Sequence, residues 1–402
     1  MIKVAIMGCG TIGSGVYEVI EGNQEILKKE LGEEIRVAKI LDLRQFPGEP
    51  YERIVTADFA EIEKDPEIGI VVETMGGTKP AYEFVKACLL AGKHVVTSNK
   101  ALVAAHGTEL LQIARDRKIN FFFEAAVGGG IPVIRTLGTG YAGQEITEIT
   151  GILNGTTNYI LTEMDRNGTS FDDALKEAQR LGYAERNPEA DVEGFDTCRK
   201  IAILTSLVTD SAVNFEKVYT EGITKIDALD FAYAKMLNAS IRLVGSAVRE
   251  NGRVAVSVCP KLIPEDNPLY GVHGVFNGIL VRGNMLGVTM LYGSGAGKLP
   301  TASAVLADIV EAAKNRDRNV PFGWHDGETE PEPMGDSVHR YLVRLGADEA
   351  EKASKLFGGA ETLRPEGAAA NREAAVFTGS MKERDMQEAL KQLNTVIKVI
   401  RA

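Results

Sequence analysis

Few folds accept the stretch Gly8-Cys9-Gly10-Thr11-Ile12-Gly13 where it stands. An apolar run, Ile2–Met7, precedes it and reads as a buried strand; an amphipathic segment, Val16–Leu27, comes after. Between a strand and a helix, GxGxxG is a dinucleotide-binding fingerprint. Gly8 permits the tight turn, Gly10 lets a pyrophosphate approach the backbone, and Gly13 lets the helix pack on the strand. The helix start at Thr11 and Ile12 then offers backbone N–H groups to phosphate oxygens. An ordinary glycine-rich turn is the competing reading.

Strand and helix patterns then alternate. A second strand, Arg36–Leu41, ends in Asp42, Leu43 and Arg44. An acid there suits a ribose diol and an arginine suits a 2′-phosphate, so NAD and NADP both remain open. Further strands are expected at Gly69–Glu73, His94–Thr97 and Ile119–Glu124, with helical segments between them. This pattern predicts an α/β fold with a parallel, doubly wound sheet over residues 1–145. Ligands on such sheets bind at the carboxyl ends of strands. Two ends carry suggestive residues: Glu73-Thr74-Met75-Gly76-Gly77 and Thr97-Ser98-Asn99-Lys100. Lys100 would point toward nicotinamide or substrate, although a lone loop lysine is more often a surface residue. A third end runs Glu124-Ala125-Ala126-Val127-Gly128-Gly129-Gly130-Ile131-Pro132. Inward carbonyls with one carboxylate suit a hard cation; a hinge between domains is the plainer alternative.

The most highly charged stretch is Glu185–Lys200, ERNPEADVEGFDTCRK. It holds Glu185, Glu189, Asp191, Glu193 and Asp196 beside Arg186, Arg199 and Lys200. Asp196 and Lys200 stand four apart and share a helix face. Several carboxylates, a lysine and a sharp turn suit a small molecule carrying both ammonium and carboxylate. A solvated charged loop is the alternative. Around this stretch, residues 146–299 read as a mixed α+β domain. Strands are expected at Ile149–Asn154, Arg253–Cys259 and Ile279–Gly283, and helices at Phe171–Leu181 and Thr197–Val208. Thr156 and Thr157 offer hydroxyls to cap a further helix. The run Gly293–Gly297 opens a return helix, about 300–325, that would bring Gly295 and Gly297 near the cofactor. After the acidic linker DGETEPEPMGDS, residues 335–402 read as a separate βαββαβ module.

Composition excludes other classes. A net charge of −11 argues against sequence-independent nucleic-acid binding. No apolar run approaches the roughly 20 residues that span a bilayer. The four cysteines are far apart, without metal-type spacing, and suggest reduced thiols in a cytoplasmic protein. The chain opens directly on its first strand, and no signal peptide is expected.

In chain order, GCGTIGSGV, ETMGG, TSNKAL, EAAVGGGIP, LNGTTNYIL, GYAERNPEADVEGFDTCRK and GSGAGKLPTASAV resemble the homoserine dehydrogenase family, over about residues 1–325. The resemblance implies reversible NAD(P)-dependent reduction of L-aspartate 4-semialdehyde to L-homoserine, in cytoplasmic threonine and methionine biosynthesis, by a homodimer that uses residues 146–299 for substrate binding and dimerisation. It implies that Lys100 contacts cofactor and substrate. It also implies that Glu124, with the carbonyls of Val127, Gly129 and Ile131, forms a sodium site. Glu185, Asp191, Asp196 and Lys200 match the family's substrate and catalytic residues. Three departures stand out. Leu43 replaces a common basic residue, so strict NADP preference is not expected; Ser294 replaces a common proline; Arg186-Asn187 replaces a common Pro-Asp. The tail resembles an ACT-type domain, but Gly346-Ala347-Asp348 stands where that domain has Pro-Gly-Val. It is therefore expected to serve assembly rather than ligand sensing.

In the reaction the resemblance implies, hydride passes from nicotinamide C4 to the aldehyde carbon. A protonated lysine beside the carbonyl oxygen stabilises the developing charge and delivers the proton. Carboxylates hold the substrate ammonium and keep Lys200 protonated and oriented. A thioester route would need an activated cysteine, yet Cys198 flanks Arg199 rather than a histidine. A dinucleotide-sensing regulator would need a basic reading element that this acidic chain does not offer.

Overall fold

Six short runs in the first third of the chain form one sheet: β1 (Ile2–Met7), β2 (Ile35–Leu41), β3 (Val55–Thr56), β4 (Ile68–Glu73), β5 (His94–Thr97) and β6 (Phe121–Phe122). All pairings are parallel, in the order β3-β2-β1-β4-β5-β6. Parallel strands covered on both faces need continuous apolar sequence. Val4, Ile6, Ile40, Ile70, Val72 and Val96 supply it and are fully buried. Each contributes about 1.5–3 kcal/mol relative to exposure. The computed structural model describes residues 1–364 and 372–402. It divides into two units: Met1–Gln144 with Ala202–Phe215 and Leu291–Thr329, and Glu145–Ile201 with Glu216–Met290 and Glu330–Ala402.

The first unit departs from the sequence reading in four places. The segment expected over Val16–Leu27 is two helices, Thr11–Gly22 and Gln24–Leu31. The side chains of Asn23 and Gln24 donate to the carbonyls of Val19 (2.8 Å) and Ile20 (3.1 Å), and so close the first helix. The strand expected over Ile119–Glu124 shrinks to Phe121–Phe122, and Glu124–Ala126 is a 3-10 turn. The reason is local: the Glu124 N–H donates to the Asp308 carboxylate at 2.8 Å instead of a sheet partner. The acidic linker also contains structure. His325–Thr329 pairs in parallel with Ser211–Val213, a contact that backbone groups alone can make. The return helix spans Lys298–Lys314 and ends short of the expected 325, where Asn315 Nδ2 donates to the Glu311 carbonyl at 2.9 Å; it packs on Thr11–Gly22. Gly15 makes this approach possible, because a Cβ there would lie 2.9 Å from Lys298 Cγ.

The second unit is built on a ten-stranded sheet. Its order runs Gly287–Ser294, Phe276–Gly283, Ile146–Ile152, Ala239–Glu250, Arg253–Pro264, Val396–Arg401, Tyr341–Gly346, Glu373–Phe377, Glu361–Leu363, and Tyr219–Thr220 also pairs with Arg253–Pro264. The expected strand Ile149–Asn154 is thus shifted toward the N-terminus. The tail has the expected βαββαβ order, with helices Ala350–Leu356 and Glu383–Leu390. Its strands do not stand apart as the sequence suggests but continue the same sheet, with Lys261 beside Arg401. Buried charge joins them. Arg344 meets Asp227 (2.8 Å), Asp230 and Glu373 (2.8 Å), and Arg401 meets Glu221 (2.7 Å) and Glu383 (2.8 Å).

Candidate active site

The glycine turn after β1 opens a cleft of about 530 Å³, lined by Gly8, Gly10, Asp42, Leu43, Arg44, Thr74, Met75 and Phe84 among others. Gly8 has φ +93, and a Cβ on it would lie 2.9 Å from Met75. A Cβ on Gly13 would lie 1.9 Å from the Gly8 carbonyl oxygen. Over Gly10 there is no atom within 4 Å of a Cβ position, so the backbone is open on that side. Thr11 and Ile12 begin the helix beside it. Thr74 Oγ1 donates to the Gly8 carbonyl at 2.7 Å and fixes the turn. A phosphate group fits this cradle physically: open backbone above Gly10 and a helix N-terminus behind it.

At the end of β2, Asp42 accepts the Cys9 N–H at 2.8 Å, and Arg44 binds both its carboxylate oxygens, from Nε at 3.0 Å and Nη2 at 2.8 Å. The Arg44 hydrogen bonds hold the Asp42 carboxyl down to about 2. The acid and the base left open by the sequence are therefore one bidentate pair. Leu43 between them is exposed.

Lys100 is the first residue of the helix Lys100–Arg117, directly after β5. Asn99 Oδ1 caps that helix by accepting the Leu102 N–H at 3.1 Å. Glu124 is buried, and its two oxygens accept the N–H groups of Ile134 (2.8 Å) and Arg135 (2.7 Å). Burial pushes its carboxyl up, and the Arg135 and Ile134 N–H groups oppose this. Val127 and Ile131 are buried, and the Ile131 carbonyl accepts the Val133 N–H at 2.8 Å. Gly129 has φ +55, and a Cβ there would lie 2.5 Å from the Gly295 carbonyl carbon. The triple-glycine loop thus packs backbone against backbone on Gly295, near Gly297, which has φ +117 and precedes the return helix. Asp308 carries no signal in the sequence that points to this loop. Wholly buried, it ties Glu124 N to the Arg135 guanidinium (2.6 Å), and burial with the neighbouring Glu124 carboxylate pushes it up to about 7. No group of three or more His, Cys, Asp or Glu among the described residues could hold a metal ion, so any cation here would rest mainly on carbonyls.

In the second unit, the helix Phe195–Thr209 carries Asp196 and Lys200 on one face as expected. Lys200 Nζ lies 2.7 Å from Asp196 Oδ2 and donates to the Leu153 carbonyl at 2.7 Å. Both side chains are buried, Asp196 at 4% and Lys200 at 8% exposure. The organising residue is one that sequence reasoning misses. Asn154 donates from Nδ2 to Asp191 Oδ1 (2.7 Å) and Asp196 Oδ2 (2.9 Å), while its Oδ1 accepts Thr157 N (2.8 Å) and Oγ1 (3.0 Å). It, not the Thr156 or Thr157 hydroxyl, caps the helix Gly155–Asn167. Its position just ahead of a helix was the available signal. Asp191 is partly buried in this group. Glu185 is not drawn in: it is exposed, in the loop after Phe171–Arg180. The resulting cluster holds a lysine ammonium against a carboxylate, with a second carboxylate nearby, in a largely dry setting. That can anchor an ammonium and give a proton to an oxygen.

Two family models match the chain: homoserine dehydrogenase over residues 132–310, and the homoserine dehydrogenase NAD binding domain over residues 8–124. A homoserine dehydrogenase of Pseudomonas aeruginosa is 44% identical over 314 residues, covering 78% of this chain and 72% of that one. The crystal structure of a homoserine dehydrogenase from Thiobacillus denitrificans superposes with a TM-score of 0.90 at 35% identity, covering 100% of this chain and 97% of that chain. A hyperthermophilic archaeal homoserine dehydrogenase in complex with NADPH gives a TM-score of 0.67 at 30% identity, covering 78% of this chain and 98% of that chain.

Proposed function

Because this chain belongs to the homoserine dehydrogenase family, we propose that Lys200, held by Asp196, is the proton donor in its reaction. The chain is an NAD(P)-dependent oxidoreductase acting on a CH–OH group, and it interconverts L-homoserine and L-aspartate 4-semialdehyde. When bound, the nicotinamide supplies or accepts the hydride. This chain's residues do the rest. Lys200 Nζ gives its proton to the oxygen that was the aldehyde carbonyl, and its charge stabilises the forming alkoxide. Asp196 fixes the ammonium in place. Asp191, turned by Asn154, takes the substrate ammonium, and Glu185 joins it from the exposed loop. The observation that carries this reading is the buried Asp196–Lys200 pair (2.7 Å). A buried ammonium is costly unless it is paired, and here Asp196 pairs it while the Leu153 carbonyl accepts a second hydrogen.

In the same reading the dinucleotide lies over Gly8, Gly10, Thr11, Ile12 and Gly13, with Thr74, Gly295 and Gly297 around it. Asp42 meets a ribose diol and Arg44 a 2′-phosphate. Lys100 reaches nicotinamide and substrate; a cation in a helix's first turn opposes the helix dipole, which favours a functional role over a structural one. Glu124 and the carbonyls of Val127, Gly129 and Ile131 bind a monovalent cation, sodium by preference, since all the donors are hard oxygens. The enzyme works in the cytoplasm as a homodimer. The strand Gly287–Ser294 ends the sheet order of the second unit, and Met285 and Val288 are exposed beside it, which supports pairing with a second copy. No helix among the described residues is long and apolar enough to cross a membrane. Homoserine oxidation with NAD and NADP side by side tests the reading. Turnover with at least one, free of coenzyme A and phosphate, is expected; a coenzyme A requirement would overturn it.

A further inference from the structure

We propose that Glu73 is a positioning residue for the nicotinamide half of the site, an inference that rests on the dinucleotide reading above. A dinucleotide crosses a doubly wound sheet at the point where the strand order reverses. Here that point lies between β1 and β4. With the pyrophosphate at Gly10 and the ribose at Asp42, the second nucleoside falls on the β4–β5 side. Two segments leave the sheet there, 74–77 and 98–99, and Glu73 joins them. It is the last residue of β4 and is fully buried.

Its Oε1 accepts the Met75 N–H at 2.7 Å and, more weakly, Asn99 Nδ2 at 3.5 Å. Its Oε2 accepts the Thr97 hydroxyl at 2.6 Å. Thr97 Oγ1 in turn accepts the Asn99 N–H at 2.9 Å, and Asn99 Nδ2 donates to the Gly77 carbonyl at 2.6 Å. Asn99 then caps the helix that begins at Lys100. On the other side, the Thr74 N–H donates to Met7 at 2.9 Å, and its hydroxyl donates to Gly8. Hydrogen bonds, joined through the 73–75 backbone, therefore link the glycine turn by way of Glu73 to the cap before Lys100. An apolar residue would close a sheet end at lower desolvation cost. The Glu73 side chain instead accepts from several donors at once.

The test compares two ligands of the full-length enzyme: NADPH, and 2′-phospho-ADP-ribose, which lacks nicotinamide. Glu73→Ala is expected to weaken NADPH about tenfold or more and 2′-phospho-ADP-ribose clearly less, because Met75 also lines the cleft beside Asp42 and Arg44 whereas the 98–99 segment bears on the nicotinamide increment alone. Glu73→Gln keeps an acceptor for Met75 and can donate to Thr97 Oγ1, so it should recover most of that increment. If Glu73→Ala does not fold, Thr97→Val removes the same link and should reproduce the selective loss. Equal loss for both ligands, or no loss for either, would overturn the role of Glu73 alone. If the unaltered enzyme binds neither ligand, the dinucleotide reading falls and this proposal with it.

Discussion

Asn154 uses every hydrogen-bonding position of its amide, giving two hydrogens to carboxylates and taking two from Thr157. Its loss should misplace Asp191 and Asp196 together. Asn154→Ala is expected to lower kcat/KM for the semialdehyde by roughly 10- to 100-fold, with NADPH affinity unchanged, measured by steady-state kinetics and fluorescence titration. A change within twofold would mean that the cluster holds its own geometry. A second residue-scale expectation concerns Asp42. Its carboxylate is fully engaged by Arg44 and Cys9 N–H, so an NAD ribose must displace part of that pair. Asp42→Ala should weaken NAD far more than NADP, because it removes the diol's partner and releases Arg44 for the 2′-phosphate. Equal losses in a side-by-side titration would reject this.

The elements that could be read from sequence are those whose patterns are self-sufficient. The strand–glycine–helix unit at residues 2–22 was legible because Gly8, at φ +93, and Gly13, against the Gly8 carbonyl, answer needs of the turn itself. The Asp196–Lys200 face was legible because four residues make about one helical turn. What could not be read depends on distant partners. Glu124 turns out of β6 because Asp308, 184 positions away, takes its N–H. Asn154 acts through Asp191 and Asp196, 37 and 42 positions away. The loop Val127–Ile131 carries its own prediction. If Glu124 and these carbonyls hold a monovalent cation, activity should rise saturably with sodium or potassium, and choline at equal ionic strength should not replace them. Equal activity in choline would reduce the loop to a hinge.

For the whole molecule, the tail is part of a continuous sheet rather than an attached sensor. At its first strand-to-helix turn, a Cβ on Gly346 would lie 2.6 Å from Asp348 and 2.9 Å from Thr395, and Glu349 accepts both N–H groups of Asn394 and Thr395 at 2.7 Å. The turn's polar groups are satisfied from within. Millimolar threonine should therefore leave the rate unchanged, and deleting Arg340–Ala402 should lower the melting temperature by stripping the buried partners Arg344 and Arg401 from Asp230 and Glu221. Saturable threonine inhibition that the deletion abolishes would contradict this. The central claim is that Lys200, and not Lys100, gives the proton. Its most direct test is the pH profile of kcat for semialdehyde reduction in the unaltered enzyme, Lys200→Ala and Lys100→Ala, with NADPH affinity as the control for folding. The expected result is a loss of at least about 10²–10⁴-fold in Lys200→Ala, with the limb that reports the donor's ionisation gone and NADPH bound normally. Lys100→Ala should lower the profile and keep its shape. A Lys200→Ala enzyme within a few-fold of the unaltered rate, with an unchanged profile, would contradict the account.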